Sequence, residues 1–443
     1  MYALLARWIY FSSQALRREP VAEVCRELEA SQHWPRERLH ELQWERQRAL
    51  FTHAFRTVPW YRERWSALGL DPAAPLTRED WARLPVLDKP TLQQDGARLR
   101  SSLEEPAFRS STSGSSGTPT AVLRSQRAWA HHHANVFRGW GWFGLRVGDR
   151  YGYVWGLALD SEGRRQAALK DRLFNRERCS AFTLDAARAR AYFERLRQRP
   201  VTFLYGYPSA VTQLADELVA QGLDGRALGL KAVVTTAEVL HDEQRDRVSG
   251  IFGCPVVDSY GCAEVGVCGI ACERGRLHTP LESVVVETAP AEGGRVELLL
   301  TDLHNRVQPI IRYRIGDLME PGPADCVCGR SLPALGRISG RAGETLTLPD
   351  GRRVNANLPS YIFKHHGKAG TVREYQFVQF PVGRVELRVR PGAAWNDGVR
   401  PELEREVREA LGIAVEIRLV DRLTRIGRGK HRDFVRAEDI GEA

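Results

Sequence analysis

Between residues 150 and 258 the hydrophobic pattern switches period repeatedly, and this alternation restricts the fold more than any other feature. Short apolar runs at 201–204, 231–235 and 255–258 have strand length, while 209–221 and 243–252 carry apolar residues at helical spacing. Such a chain buries its strands under helices, which predicts an α/β layer structure. Before it, residues 1 to about 100 read as helices, 23–29 and 36–56 among them, punctuated by Pro59, Pro72, Pro75 and Pro85. After it, apolar runs at 284–286 and 296–301 flank a Glu-Gly-Gly turn, the pattern of an antiparallel hairpin and of a β-rich subdomain. The last hundred residues read as strands at 375–380 and 384–390, a helix at 401–411 and a strand at 415–420. The expectation is a large N-terminal α/β domain over residues 1–340 with a β-rich subdomain, then a small α+β domain over 341–443. A length of 443 residues accommodates this division.

Charge excludes little. Lys and Arg number 64 against 55 Asp and Glu, so nucleic acid, an anionic membrane or a phosphorylated substrate would each suit the net charge of +9. The excess is spread without a block of like charges, so a solvated Arg-rich surface and no nucleic-acid partner are expected. Eight Cys are too few for a disulfide scaffold at this length and suit reduced thiols or a metal. The apolar start is broken by Arg7, lacks the order of a signal peptide and is too short to span a bilayer. A helix resting on the body or on a membrane surface fits it. A cytoplasmic protein without an integral membrane segment is expected.

The stretch from Ser110 to Thr120 is the most informative about chemistry. Gly114 and Gly117 allow tight turns that bring amide N–H groups to a polyanion, and Ser111, Thr112, Ser113, Ser115, Ser116 and Thr118 add hydroxyl donors. It is not a Walker A loop. By composition alone a flexible linker is the alternative. Residues 112–119 resemble the Thr-Ser-Gly-Thr-Thr-Gly-x-Pro-Lys loop of adenylate-forming enzymes, whose branches include acyl-coenzyme A ligases, luciferases and peptide-synthetase adenylation domains. Thr120 stands where that loop has Lys.

Further segments follow in that family's order. Ser259, Tyr260, Gly261, Cys262, Ala263 and Glu264 resemble its Tyr-Gly-x-Thr-Glu motif, with Ala263 in place of Thr. The resemblance implies that Tyr260 flanks adenine and Glu264 assists Mg2+, a hard cation that seeks oxygen. The run from Arg312 to Asp317 resembles Tyr-x-Thr-Gly-Asp, which implies that Asp317 holds both ribose hydroxyls, two bonds a carboxylate can accept at once. Gly340 and Arg341 resemble the pair before the family's inter-domain hinge, and Gly343-Glu344 replaces the acidic pair that often follows. Lys430 matches the catalytic lysine near the C-terminus, a point charge for the α-phosphate and carboxylate oxygens as pyrophosphate leaves. The segment 233–238, with Ala237 and Glu238, resembles the strand end beside adenine and the acyl pocket, and 205–209 a loop lining that pocket.

Cys272, His278, Cys326 and Cys328 supply four ligands of the kind structural Zn2+ takes. On spacing alone, buried reduced cysteines are an equal alternative. Residues 326–330 also resemble a segment of phenylacetate–coenzyme A ligase-like and capsule-associated adenylating proteins, some of which carry such a metal. Cys268 is a reserve ligand, and Cys25, Cys179 and Cys254 read as core thiols. His131, His132 and His133 are consecutive on a helix and point in different directions, so they do not share one ion. Trp140 and Trp142 read as packing or pocket wall. Aromatic density at Trp140, Trp142, Tyr205 and Tyr207 fits an aryl or flat acid, with core packing as the alternative.

The resemblance covers roughly residues 75 to 435. It implies that ATP with Mg2+ and a carboxylic acid give an acyl-adenylate, which passes its acyl group to coenzyme A while the C-terminal domain swings about the hinge. Transfer to an amine or hydroxyl, and a nucleotide-binding module without catalysis, are the alternatives. A homodimer is left open.

Overall fold

The computed structural model describes residues 2–111, 121–155, 161–181, 184–341, 345–347, 353–355, 363, 366, 369–381, 384–411, 413–425 and 432–442. Six helices come first: α1 (Tyr2–Leu16), α2 (Val21–Ser31), α3 (Arg36–Thr57), α4 (Pro59–Ala67), α5 (Arg78–Arg83) and α6 (Lys89–Gln94). Proline punctuation sets their starts, since Pro59 opens α4 where a missing N–H costs nothing. A hairpin of β1 (Ala107–Ser111) and β2 (Ala121–Ser125) then leads into α7 (Gln126–Trp142), capped by the Ser125 hydroxyl on the Ala128 N–H.

Seven strands form the central sheet: β3 (Tyr151–Trp155), β4 (Arg176–Ser180), β5 (Phe203–Gly206), β6 (Ala232–Thr236), β7 (Val256–Cys262), β8 (Gly266–Ala271) and β9 (Leu277–His278). Their order is β4-β3-β5-β6-β7-β8-β9. The first five run parallel, joined by α8 (Ser161–Leu173), α9 (Ala186–Gln198), α10 (Pro208–Ala220) and α11 (Asp242–Phe252), and the last two are antiparallel. Ala232, Val233, Val234 and Thr235 are all buried, as a central parallel strand covered on both faces requires. Strands β5, β6 and β7 begin within one or two residues of the positions expected for them.

An antiparallel sheet follows, β10 (Val284–Pro290), β11 (Val296–Asp302), β12 (Tyr313–Glu320) and β13 (Arg337–Arg341), in sequential order. It is the expected β-rich element. Beyond Arg341 lie a small hairpin, β14 (Thr345–Thr347) with β15 (Arg353–Asn355), and a second four-stranded sheet. That sheet comprises β16 (Val372–Gln379), β17 (Val385–Pro391), β18 (Glu416–Leu419) and β19 (Phe434–Arg436), backed by α12 (Val399–Leu411). Leu403, Val407 and Leu411 share one face of α12 and meet Phe377, Leu387 and Val389, a core separate from those of the central sheet. Each such buried side chain contributes about 1.5–3 kcal/mol. Among the described residues no helix is long and apolar enough to cross a membrane.

Candidate functional site

The carboxyl ends of β5, β6 and β7 open into one cavity of about 1570 Å³, the position where open α/β sheets bind ligands. Local hydrogen bonds fix its floor. The Thr236 hydroxyl donates to the Ser259 carbonyl at 2.9 Å, tying β6 to β7. Ala237 then takes φ +70°, a left-handed conformation that costs a non-glycine residue energy and collects at functional sites. That turn aims the Glu238 carboxylate at the start of α10, where it accepts the Ser209 N–H at 3.0 Å.

On β7 the Tyr260 hydroxyl donates to Asp317 Oδ2 on β12 at 2.8 Å. Burial, and next the Asp317 charge, push the Tyr260 phenol well above its ordinary value, so it stays a donor. Gly261 is required by close approach: a Cβ there would lie 2.4 Å from the Gly266 carbonyl oxygen. The tight β7–β8 connection carries Cys262 and Glu264 to the same cavity, where the Tyr313 hydroxyl donates to Glu264 Oε1 at 3.3 Å. Asp258 also lines it, its carboxyl pushed up to about 6 by burial.

The hydroxyl-rich loop leaves from this place. β1 and β2 pair as far as Ser111 opposite Ala121, and the Ser110 hydroxyl donates to the Ala263 carbonyl at 3.3 Å. Thr112, Ser113, Gly114, Ser115, Ser116, Gly117 and Thr118 lie outside the described residues, as does Lys430. The backbone of Arg341 pairs with Asp317 at the end of β13. Arg425 before Lys430 bonds Glu374 at 2.6 Å, while Arg432 after it lines the cavity and its carbonyl accepts from Gln376 at 3.1 Å.

Aromatic rings make one wall of the cavity. On the adjacent parallel strands β3 and β5, Tyr153 and Trp155 stand beside Tyr205, with Tyr207 beyond. Trp155 stacks on Tyr207 with centroids 4.0 Å apart, and Tyr153 on Tyr205 at 5.8 Å. Helix α7 presents Trp129, His132 and Val136 to the same space, and the buried His132 Nδ1 has no hydrogen-bond partner. The sequence reading found Tyr205 and Tyr207 but not Tyr153, Trp155 or Trp129; the aromatic alternation at 151–155 was the available signal. Trp140 packs against Phe203 in the core, and Trp142 lies beside His278 and Arg330, outside the wall. The three histidines diverge as expected: His131 stacks on His304 at 3.4 Å, His132 on Trp129, and His133 on Phe137.

A second constellation joins the two sheets. Cys272 follows β8, His278 lies in β9, and Cys326 and Cys328 come from the connection between β12 and β13. Their four ligand atoms lie within 4.8 Å of one another. Cys272 Sγ and Cys326 Sγ are 3.8 Å apart, and Cys328 Sγ and His278 Nε2 3.3 Å. A tetrahedral zinc site with bonds of about 2.3 Å to sulfur has S···S edges of about 3.8 Å. His278 Nδ1 sits 2.6 Å from the Leu332 carbonyl, which favours the tautomer with the Nε2 lone pair turned to the thiols. Cys268, the reserve ligand, is not in the cluster and bonds the Gly266 carbonyl instead. Burial pushes Cys25, Cys179 and Cys254 each up to about 12, in keeping with inert core thiols.

Residues 69–307 match the family model described as AMP-binding enzyme. Phenylacetate-coenzyme A ligase of Pseudomonas putida is 27% identical over 410 residues, 86% of this chain and 90% of that one. The ligase of the same name from Escherichia coli K12 is 26% identical over 344 residues, 73% of this chain and 75% of that one. Among solved structures, 2-hydroxyisobutyryl-CoA ligase in its postadenylation state superposes with a TM-score of 0.69 at 23% identity, covering 90% of this chain and 88% of that one.

Proposed function

Since the chain belongs to the AMP-binding enzyme family, we propose that it is an AMP-forming acid–coenzyme A ligase, which makes an acyl-adenylate from ATP and transfers the acyl group to the thiol. The observation that carries this reading is the single cavity at the strand ends. It joins the Tyr260–Asp317 pair, Glu264, the start of the hydroxyl-rich loop and an aromatic wall, with Arg432 at its border.

Asp317 accepts the Tyr260 hydroxyl at the cavity and, as a carboxylate able to accept two hydrogen bonds at once, is the group that meets the ribose hydroxyls. The residues from Ser111 to Thr118 hold the triphosphate, and Ala237, Glu238, Ser259, Gly261 and Cys262 line the adenine side. The substrate carboxylate attacks the α-phosphorus, the bond to the β-phosphate oxygen breaks, and pyrophosphate departs. Lys430 sets its charge on the reacting oxygens, where charge gathers in the transition state. The coenzyme A thiolate then attacks the acyl carbonyl and AMP leaves. Magnesium, which Glu264 would hold, neutralises phosphate charge when bound. Removing Lys430 between the steps needs a mobile C-terminal domain, here residues 341–443, whose separate core supports the division.

The aromatic wall favours a flat aromatic acid. Cys272, His278, Cys326 and Cys328 hold a structural Zn2+, since four protein ligands leave no position for water. A cytoplasmic location goes with both ATP and coenzyme A as substrates. Pyrophosphate release measured over a panel of carboxylic acids, with and without coenzyme A, tests the reading. Acid-dependent release, followed by thioester when coenzyme A is added, is expected. No release with any acid would refute it, and acyl transfer to amines but not to the thiol would correct the acceptor.

A further inference from the structure

Helix α1 turns a bulky apolar face to solvent. Leu4 is 72% exposed, Leu5 49%, Trp8 67% and Leu16 87%. At about 100° per residue these side chains, with Tyr2, fall within an arc of about 160°. The other side holds the helix down: Ala6 and Gln14 are buried, and the Tyr10 ring meets Phe137 at 5.3 Å and Phe174 at 5.5 Å. The helix is thus anchored and still leaves its larger apolar side bare.

Helix α8 extends the patch. The Tyr2 hydroxyl donates to the Arg172 carbonyl at 2.6 Å, and the neighbouring Leu169 and Leu173 are exposed. Of the eleven large apolar side chains exposed among the described residues, seven belong to these two helices. Scattered exposed leucines need no explanation, whereas a contiguous patch marks a contact surface.

Charge decides what kind. Arg17, Arg18, Lys170 and Arg172 are exposed around the patch. From Tyr2 to Arg18 there is no acidic residue. The nearest carboxylates in sequence, Glu19 and Asp171, are buried. A second copy seated face to face would bring these cations against their own kind. A surface of lipid phosphates would complement them, and an apolar helix face with Trp flanked by cations matches a helix lying at the headgroup boundary.

We propose that α1 and the end of α8 dock this chain on an anionic bilayer surface, with Leu4, Leu5 and Trp8 entering the boundary and Arg17, Arg18, Lys170 and Arg172 facing phosphates. The test is flotation of the full chain with phosphatidylcholine vesicles, pure or containing about one third phosphatidylglycerol. The chain floats with the anionic vesicles and far less with the neutral ones. Exchanging Arg17 and Arg18 for Gln lowers the partition about 30-fold, since each surface cation is worth roughly fivefold. Leu4→Ser with Trp8→Ser abolishes flotation while the melting temperature holds, because both side chains are mostly outside the core. Absence of flotation with anionic vesicles overturns the proposal. So does a stable dimer in analytical ultracentrifugation that the Leu4/Trp8 variant dissolves without any vesicle binding, which would assign the face to a second copy.

Discussion

Removing the Arg373 side chain should impair adenylate formation while sparing thioester formation. Arg373 on β16 reaches across to α10, with Nε 3.1 Å from Asp216 and Nη2 3.3 Å from Glu217. Asp216 is also bound by Arg247, and Glu217 by Arg390 at 3.7 Å. Arg390 bonds Glu374 at 3.0 Å, which in turn holds Arg425, five residues before Lys430. Charges therefore alternate from the central body to the segment that carries the lysine. Burial raises the Asp216 carboxyl and the arginines oppose it, so that residue relies on its partners. Exposed pairs contribute about 0.2–1 kcal/mol and breaking a buried one costs about 3–5 kcal/mol. Arg373 is 18% and Asp216 6% exposed at the side chain, so Arg373→Ala should bias the C-terminal sheet away from this position by about 1.5–3 kcal/mol, roughly 10- to 100-fold. Rapid-quench measurement of adenylate formation, beside thioester formation from preformed acyl-adenylate, reads the two steps. A fall of at least tenfold in the first alone is expected. Equal effects on both, or none, would refute the idea that these pairs hold the lysine segment for adenylation.

Other outcomes follow from the same geometry. Lys430→Ala should depress pyrophosphate release strongly and leave acyl transfer from preformed adenylate intact; equal loss in both steps would remove its assigned role. Cys328→Ser should lower bound zinc, measured by plasma emission, and the melting temperature before it changes turnover, because the cluster ties β8 and β9 to the β12–β13 connection. Burial, then nearby Arg46, holds His304 down at about 3 against 6.5, and burial also holds its stacking partner His131 well below 6.5. Both rings fold neutral, so stability is present above 6.5 and is lost as pH falls from 6.5 through 3, where the unfolded chain takes up protons first. Melting temperature against pH should show that slope, and His304→Gln should flatten it.

The layer architecture was legible because period and length separate strands from helices between 150 and 258, and among the described residues Glu238, Tyr260, Glu264 and Asp317 line one cavity because strand ends in a parallel sheet face one crevice. Strand starts were offset where neighbours set them: β5 begins at Phe203 because the Thr202 N–H bonds Arg150 at the foot of the ladder. The aromatic wall was half hidden, since which ring faces the cavity depends on strand register between β3 and β5. Asp216 and Glu217 fall inside the helix expected over 209–221, and nothing local announces partners more than 150 residues away. The cysteine cluster was legible by residue type, and the structure excluded Cys268 because its side chain bonds within the β7–β8 hairpin instead.

The most direct test of the central claim follows a heavy-oxygen label placed in the carboxylate of an accepted acid. If that carboxylate attacks the α-phosphorus in the cavity beside Asp317 and Glu264, one labelled oxygen must leave on AMP when coenzyme A takes the acyl group. Label in AMP, with pyrophosphate as the other product, is the predicted result. Label in inorganic phosphate, or turnover with no AMP formed, would contradict it.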